Sequence, residues 1–200
     1  MRRATRAGGH DPAATVDCVA PVVVLNGGSS SGKSSIARCL QRLLGPTWLT
    51  LGVDDLIRAL PAGDEPAGSS GPVEFAPDGQ VNVGEDFRLA EASWYAGLAA
   101  IGRCRTGLII DEVFLGGGAS QERLATALSG LRVVWVGVRC DPDVAAAREP
   151  KRADRVPGMA RLQATRVHEG VVYDFVVDTT TKSAADCAAA IATRVVGVDG

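Results

Sequence analysis

An α/β fold with a parallel sheet covered by helices on both sides is predicted by three features of this sequence. Five short apolar runs alternate with stretches of helical periodicity, the pattern of repeated strand–helix crossovers. Several runs, such as Val133-Val134-Trp135-Val136-Gly137-Val138, show no polar alternation, as a strand buried on both faces requires. The first run, Pro21 to Asn26, opens directly into Gly27-Gly28-Ser29-Ser30-Ser31-Gly32-Lys33-Ser34, which fits the phosphate-loop pattern G-x-x-x-x-G-K-[ST].

The elements follow in order. Ile36, Leu40, Leu43 and Leu44 at helical spacing predict a helix after the loop, and Trp48 to Val53 a second strand ending at Asp54-Asp55. Leu56 to Leu60 reads as a short helix stopped by Pro61. Four prolines between residues 61 and 84 make a loop, within which Val73-Glu74-Phe75 and Gln80-Val81-Asn82-Val83 can form a hairpin around Asp78-Gly79. Glu85 to Arg103 reads as a helix with Phe87, Trp94, Leu98 and Ile101 near one face; Trp94 and Tyr95 are read as core or pocket wall. Leu108-Ile109-Ile110 is a third strand running into Asp111-Glu112, followed by a Gly116-Gly117-Gly118 loop and a helix from Ser120, its expected cap, to Leu128. The fourth strand, Val133 to Val138, leads to a helix from Asp143 to Arg148, a basic stretch Lys151 to Arg155, and a helix Met159 to Val167. Phe175-Val176-Val177 is the fifth strand, and the alanine-rich Ala184 to Val196 the closing helix.

Composition narrows the class. Two hundred residues that are 46% hydrophobic and 22% charged can bury a real core, which argues against a disordered chain. A net charge of −2 offers no general attraction to nucleic acid or an anionic membrane, and no apolar run is long enough to span a bilayer. The five cysteines, odd in number and without a C-x-x-C pair, read as reduced thiols in a cytoplasmic protein, and with only two histidines a zinc site is not expected. Residues 1–19 carry three arginines and then Gly8-Gly9-His10-Asp11-Pro12 in place of an apolar signal core, so they read as a flexible leader to one domain, 20–198. The sequence shows no internal repeat and is neutral on oligomeric state.

The chemistry is expected beyond the carboxyl ends of the strands, where ligands of open parallel sheets gather. Glycines let consecutive N–H groups turn inward to form an anion-sized nest, and the following helix adds its positive end. Gly27, Gly28, Ser29, Ser30, Ser31, Gly32, Lys33, Ser34 and Ser35 are the nucleotide-binding candidates, with Lys33 reaching the terminal phosphates and Ser34 toward Mg²⁺. Asp111, an acid at the end of an apolar strand, is the second candidate for Mg²⁺. Asp54, delivered by the second strand, is the candidate base for an acceptor hydroxyl, while Asp55 is the expected cap of the next helix. Arg148, Arg152 and Arg155, spaced to share one side of a helix or turn, could close a basic lid over the donor; the alternative is a solvated helix end paired with Glu149 and Asp154.

These residues carry a family resemblance. Leu25 to Ser34, Leu51-Gly52-Val53-Asp54, Ile110 to Gly117, Trp135 to Asp141, Asp154-Arg155-Val156, Val167-His168-Glu169-Gly170 and Asp178-Thr179-Thr180 resemble, in order and spacing, the chloramphenicol 3-O-phosphotransferase family over about residues 21 to 196. The resemblance implies a three-layer P-loop kinase fold with sheet order 2-3-1-4-5 and transfer of phosphate from ATP to the 3-hydroxyl of the antibiotic, conferring resistance. It implies Asp54 as base, Lys33 and Ser34 as donor and metal residues, and Arg152 and Arg155 as lid arginines. Asp55 and Glu112 depart from the family's pattern, as does the Gly/Pro-rich stretch Ala62 to Ser70, which would change the substrate if that stretch lines the acceptor pocket. A kinase of another hydroxylated metabolite and a nucleotide-binding regulator are the other readings; the chain has no N-K-x-D guanine motif.

Overall fold

The computed structural model describes residues 20–61, 73–76, 80–104, 106–151 and 158–197. The expected leader, the Ala62 to Ser70 stretch, and Arg152, Asp154 and Arg155 lie outside the described residues.

Strands β1 (Val22–Asn26), β2 (Trp48–Gly52), β5 (Gly107–Glu112), β6 (Val133–Arg139) and β7 (Phe175–Asp178) form one parallel sheet in the order β2-β5-β1-β6-β7. Counting only these five strands along the chain, the order is 2-3-1-4-5, as the resemblance implies. The remaining two, β3 (Val73–Phe75) and β4 (Val81–Val83), make the expected hairpin, antiparallel with Glu74 opposite Asn82.

The β1 run is buried throughout because its side chains feed two cores by turns. Val23 and Leu25 pack with Ile109, Val136 and Val138 under α1 (Lys33–Leu44) and α7 (Ala184–Val196). Val22 and Val24 pack with Leu108, Ile110 and Phe114 under α3 (Glu85–Gly102) and α4 (Gly118–Ala127). This parity matters at the end of β5, because Asp111 continues the side of Ile109 and Glu112 the side of Leu108 and Ile110.

Three local expectations are corrected. The second strand stops at Gly52, and Val53 begins α2 (Val53–Ala59), so Asp54 sits in the first turn of a helix. Ser120 is not the cap of α4: Gly117 takes that position at φ 55, where glycine is favoured, and Ser120 Oγ instead accepts from Gly116 N at 3.1 Å. On α3 the buried line is Phe87, Glu91, Tyr95, Leu98 and Gly102, while Trp94 and Ile101 are only partly buried. Asp55 does cap α2, its Oδ2 accepting from Gly52 N at 2.8 Å. Helix α5 (Pro142–Arg148) is capped by Asp141, and a 3₁₀ turn, Glu149–Lys151, leads toward α6 (Met159–Arg166).

Candidate active site

The phosphate loop is shaped by what surrounds it. A Cβ on Gly27 would fall 2.4 Å from Val138 O, and one on Gly28 3.0 Å from the Gln163 carbonyl carbon, so both glycines answer to close backbone approach. Gly32 turns the chain into α1 at φ 93, and no side chain caps the helix, leaving its first amides open to an anion. Ser30 takes a left-handed φ of 58, rare for a residue with a Cβ. The hydroxyls of Ser29, Ser30 and Ser31 are buried without a hydrogen-bond partner among the described residues, in a loop whose form suits a polar ligand. Ser35 is exposed on the first turn of α1.

Three candidates meet at the end of this loop. Lys33 Nζ donates to Gly28 O at 3.1 Å and lies 3.8 Å from Asp111 Oδ1. Ser34 Oγ donates to Asp111 Oδ2 at 2.7 Å. A hydroxyl and a carboxylate converging beside a lysine are oxygen donors suited to a hard cation. The sequence separation of 77 residues is closed by β1 pairing with β5, which sets Leu25 opposite Asp111.

The other acid of the pair looks the opposite way. Glu112, buried to 2% exposure, lines a pocket between α2, α3 and the β3–β4 hairpin, with about 630 Å³ of space partly open to solvent. Val53, Val73, Val81, Val83, Phe87 and Met159 make its apolar wall, and Asp54, half-buried, stands on its rim. Burial, and then the neighbouring carboxylates of Asp111 and Glu91, push the Glu112 carboxyl up to about 8, and its Oε1 has no partner among the described residues. Glu91 is satisfied instead: Arg88 Nη1 donates to both its oxygens at 3.0 Å, and Arg123 Nε to Oε2 at 2.8 Å. Tyr95 contributes a hydroxyl 3.5 Å from Glu91, and burial drives its phenol far above the usual range.

Arg148 is not a lid residue. Its Nη2 donates to Thr179 O at 2.8 Å, and Thr179 Oγ1 donates to Ser31 O at 2.7 Å, so this arginine braces the phosphate loop from behind. Glu149, which the alternative reading placed at a solvated helix end, is buried and accepts from Gly158 N and Ala160 N, both at 2.8 Å, tying α6 to α5. A second brace begins at Asn26, whose Oδ1 accepts from Phe114 N at 2.9 Å while Nδ2 donates to Val167 O at 2.8 Å and Tyr173 Oη at 2.6 Å. The pocket residues Glu91 and Gln163 went unread in the sequence, whereas Tyr95 lines the pocket as one of its two readings had it. One signal was present on α3, where Phe87, Glu91, Tyr95, Leu98 and Gly102 keep a helical stripe that an acid and a glycine interrupt.

The profile of the chloramphenicol phosphotransferase-like protein family matches residues 20–196. The chain belongs to that family. It is 33% identical over 172 residues to a Mycobacterium tuberculosis protein named "Putative O-phosphotransferase", covering 80% of this chain and 75% of that one. Among solved structures, a gluconokinase from Sinorhizobium meliloti 1021 superposes with TM-score 0.58 at 18% identity, covering 90% of this chain and 94% of that one. The tunicamycin resistance protein of Deinococcus radiodurans gives TM-score 0.62 at 19% identity, covering 88% and 95%. At such identities these structures speak for the fold, which is that of the P-loop kinases. The family member is thus a phosphotransferase with a hydroxyl acceptor on a small molecule. No helix among the described residues is long and apolar enough to cross a membrane.

Proposed function

We propose that this chain transfers the terminal phosphoryl group of ATP to a hydroxyl of an uncharged, largely apolar small molecule, with the 3-hydroxyl of chloramphenicol the first candidate and drug resistance in the cytoplasm its consequence. The observation that carries the reading is the split of Asp111 and Glu112. One acid joins Lys33 and Ser34 at the phosphate loop, and the other joins Asp54 in the apolar pocket. A donor site and an acceptor pocket thus share one strand end.

The residues then take these roles. Gly27 to Ser35 cradle the phosphates with backbone amides, and Lys33 offsets the charge that gathers on the leaving diphosphate. Ser34 and Asp111 would hold Mg²⁺, whose charge, when bound, further neutralises the phosphate oxygens. The acceptor hydroxyl gives its proton to the Asp54 carboxylate as its oxygen bonds to the terminal phosphorus. The bond from that phosphorus to ADP breaks, and ADP leaves. On the family resemblance, Arg152 and Arg155 add positive charge over the donor.

The pocket supports an uncharged acceptor. Its apolar wall favours apolar surface, and Arg88, the cation on its lining, is spent on Glu91. A sugar acid would bring a carboxylate to a wall already holding Glu91 and Glu112.

The test is incubation with ATP, Mg²⁺ and a panel of chloramphenicol, tunicamycin, gluconate and shikimate, read by mass spectrometry. A phosphoester of an uncharged member is expected. Asp54→Ala is expected to keep nucleotide binding and lose at least about 100-fold in transfer, the scale of a lost general base. Transfer only to the acids would overturn the reading of the pocket, and full activity in D54A would remove Asp54 as base.

A further inference from the structure

Gln163 on α6 touches both halves of the site. It is 4% exposed, its Oε1 accepts from Ser29 N at 2.8 Å inside the phosphate loop, and it also lines the acceptor pocket with Asp54 and Glu112. The backbone donor at Ser29 fixes which end of the carboxamide is oxygen, because an N–H cannot be accepted by an –NH₂ group. The other end, Nε2, has no hydrogen-bond partner among the described residues. Gln163 borders the acceptor pocket, where a ligand oxygen can accept from the two protons of Nε2. Gly28 is pressed against the Gln163 backbone, where a Cβ would fall 3.0 Å from its carbonyl carbon, so helix and loop are held as one unit.

We propose that Gln163 is a catalytic residue whose Nε2 donates to the terminal phosphoryl group as it passes from the donor to the acceptor. The inference rests on the reading of the loop as donor site and the pocket as acceptor site. Three things recommend the phosphoryl group as the partner. Gln163 sits at the boundary of the two sites, which the transferred group must cross. Arg88 on the acceptor-facing wall is paired with Glu91, so a neutral donor at Gln163 can stabilise negative charge without an added cation. And the Oε1 anchor holds the carboxamide in place before any ligand arrives, so little reorganisation is needed at the moment of transfer.

A purely structural Gln163 would serve Ser29 alone, and two variants separate the cases. Gln163→Glu keeps an oxygen for the Ser29 N–H, loses the donor, and brings negative charge to the boundary. Calorimetric titration with Mg²⁺ and either ADP or a non-hydrolysable imido analogue of ATP reads the effect. ADP is expected to bind Q163E within about twofold of the unmodified chain, and the triphosphate analogue at least about tenfold more weakly, since only it carries the terminal phosphate. Gln163→Met, which removes both polar ends at similar volume, is expected to lower kcat by about 100-fold with acceptor KM within about threefold, the split of a group that acts in the transition state. Thermal melts within a few degrees of the unmodified chain establish that both variants fold. Equal weakening of ADP and analogue in Q163E, or unchanged kcat in Q163M, overturns the proposal. If the unmodified chain phosphorylates no alcohol, the acceptor reading falls, while the ADP-to-analogue comparison still decides Gln163. If it binds neither nucleotide, both fall.

Discussion

Acid should loosen the scaffold of the phosphate loop through one histidine. Asn26, the last residue of β1, fixes the proton positions of a buried chain. Its Oδ1 is occupied by Phe114 N, so Nδ2 must be the group that donates to Tyr173 Oη at 2.6 Å. The tyrosine therefore spends its own proton on His168 Nδ1, also at 2.6 Å, and the imidazole carries its proton on Nε2, a buried atom without a partner among the described residues. A second proton would have to go on Nδ1, which already accepts from the Tyr173 hydroxyl. Burial, then the Arg139 and Lys33 cations, hold the imidazole at about 4 against an ordinary 6.5.

The sign follows from proton counting. Between about pH 6.5 and 4 the unfolded chain binds a proton that the folded chain refuses, so stability rises with pH across this window and is lost as pH falls. Two and a half pH units correspond to about 3 kcal/mol, reduced to roughly 2 kcal/mol at pH 4.5 after allowance for incomplete titration and partial solvent screening. Urea unfolding at pH 7.5 and 4.5, for the unmodified chain and His168→Gln, isolates the contribution, because every other titrating group is common to both. The unmodified chain is expected to lose roughly 2 kcal/mol more than H168Q on acidification. Equal losses would refute the assigned proton positions, since an imidazole already charged at neutral pH has nothing left to gain.

Two further outcomes follow from packing around the same strand ends. Gly52→Ala would set a Cβ 2.1 Å from the Asp111 carbonyl oxygen, a backbone atom that cannot turn aside, so β2 and β5 must separate. A loss of about 3 kcal/mol in urea unfolding is expected, with a fall in transfer because Asp54 and Asp111 are the residues displaced; a neutral G52A would refute the strand register. Glu91→Ala leaves Arg88 and Arg123 without their shared carboxylate beside an apolar pocket and should cost about 2 to 3 kcal/mol by thermal or urea unfolding, against a few tenths for an ordinary surface ion pair.

What could be read from the sequence was what is local. The phosphate loop, the five apolar strands and the Asp55 cap each depend on neighbours a few residues away, and each lies where its pattern placed it but for the end of β2, which stops at Gly52. Arg148 was misread because its spacing to other arginines is a local fact, while its partner, Thr179, is 31 residues distant on the far side of β7. Gln163 and Ser29 are separated by 134 residues, and nothing in the composition of α6 marks that glutamine from any other. The hairpin was visible as alternating residues around Asp78-Gly79, but that its valines close the acceptor pocket depends on α3 packing below.

The pair Asp111-Glu112 stands between these two cases. Adjacent residues of a strand point to opposite faces, so once β5 is placed between β1 and β2 the two acids cannot serve the same site. Parity with Ile109 sends Asp111 toward α1 and the loop; parity with Leu108 and Ile110 sends Glu112 toward α3. A one-residue slip of β5 would misplace both: in one direction Ile110 would face Ser34 and Lys33 with Asp111 toward α3, and in the other Glu112 would face them with Val113 toward α3. The sheet register, held by Leu25 opposite Asp111 and Gly52 opposite Asp111, is therefore a functional specification as well as a structural one. On the proposed reading, the same parity lets one strand end serve both the donor and the acceptor site, and it keeps the two acids near enough for Asp111 to help raise the Glu112 carboxyl.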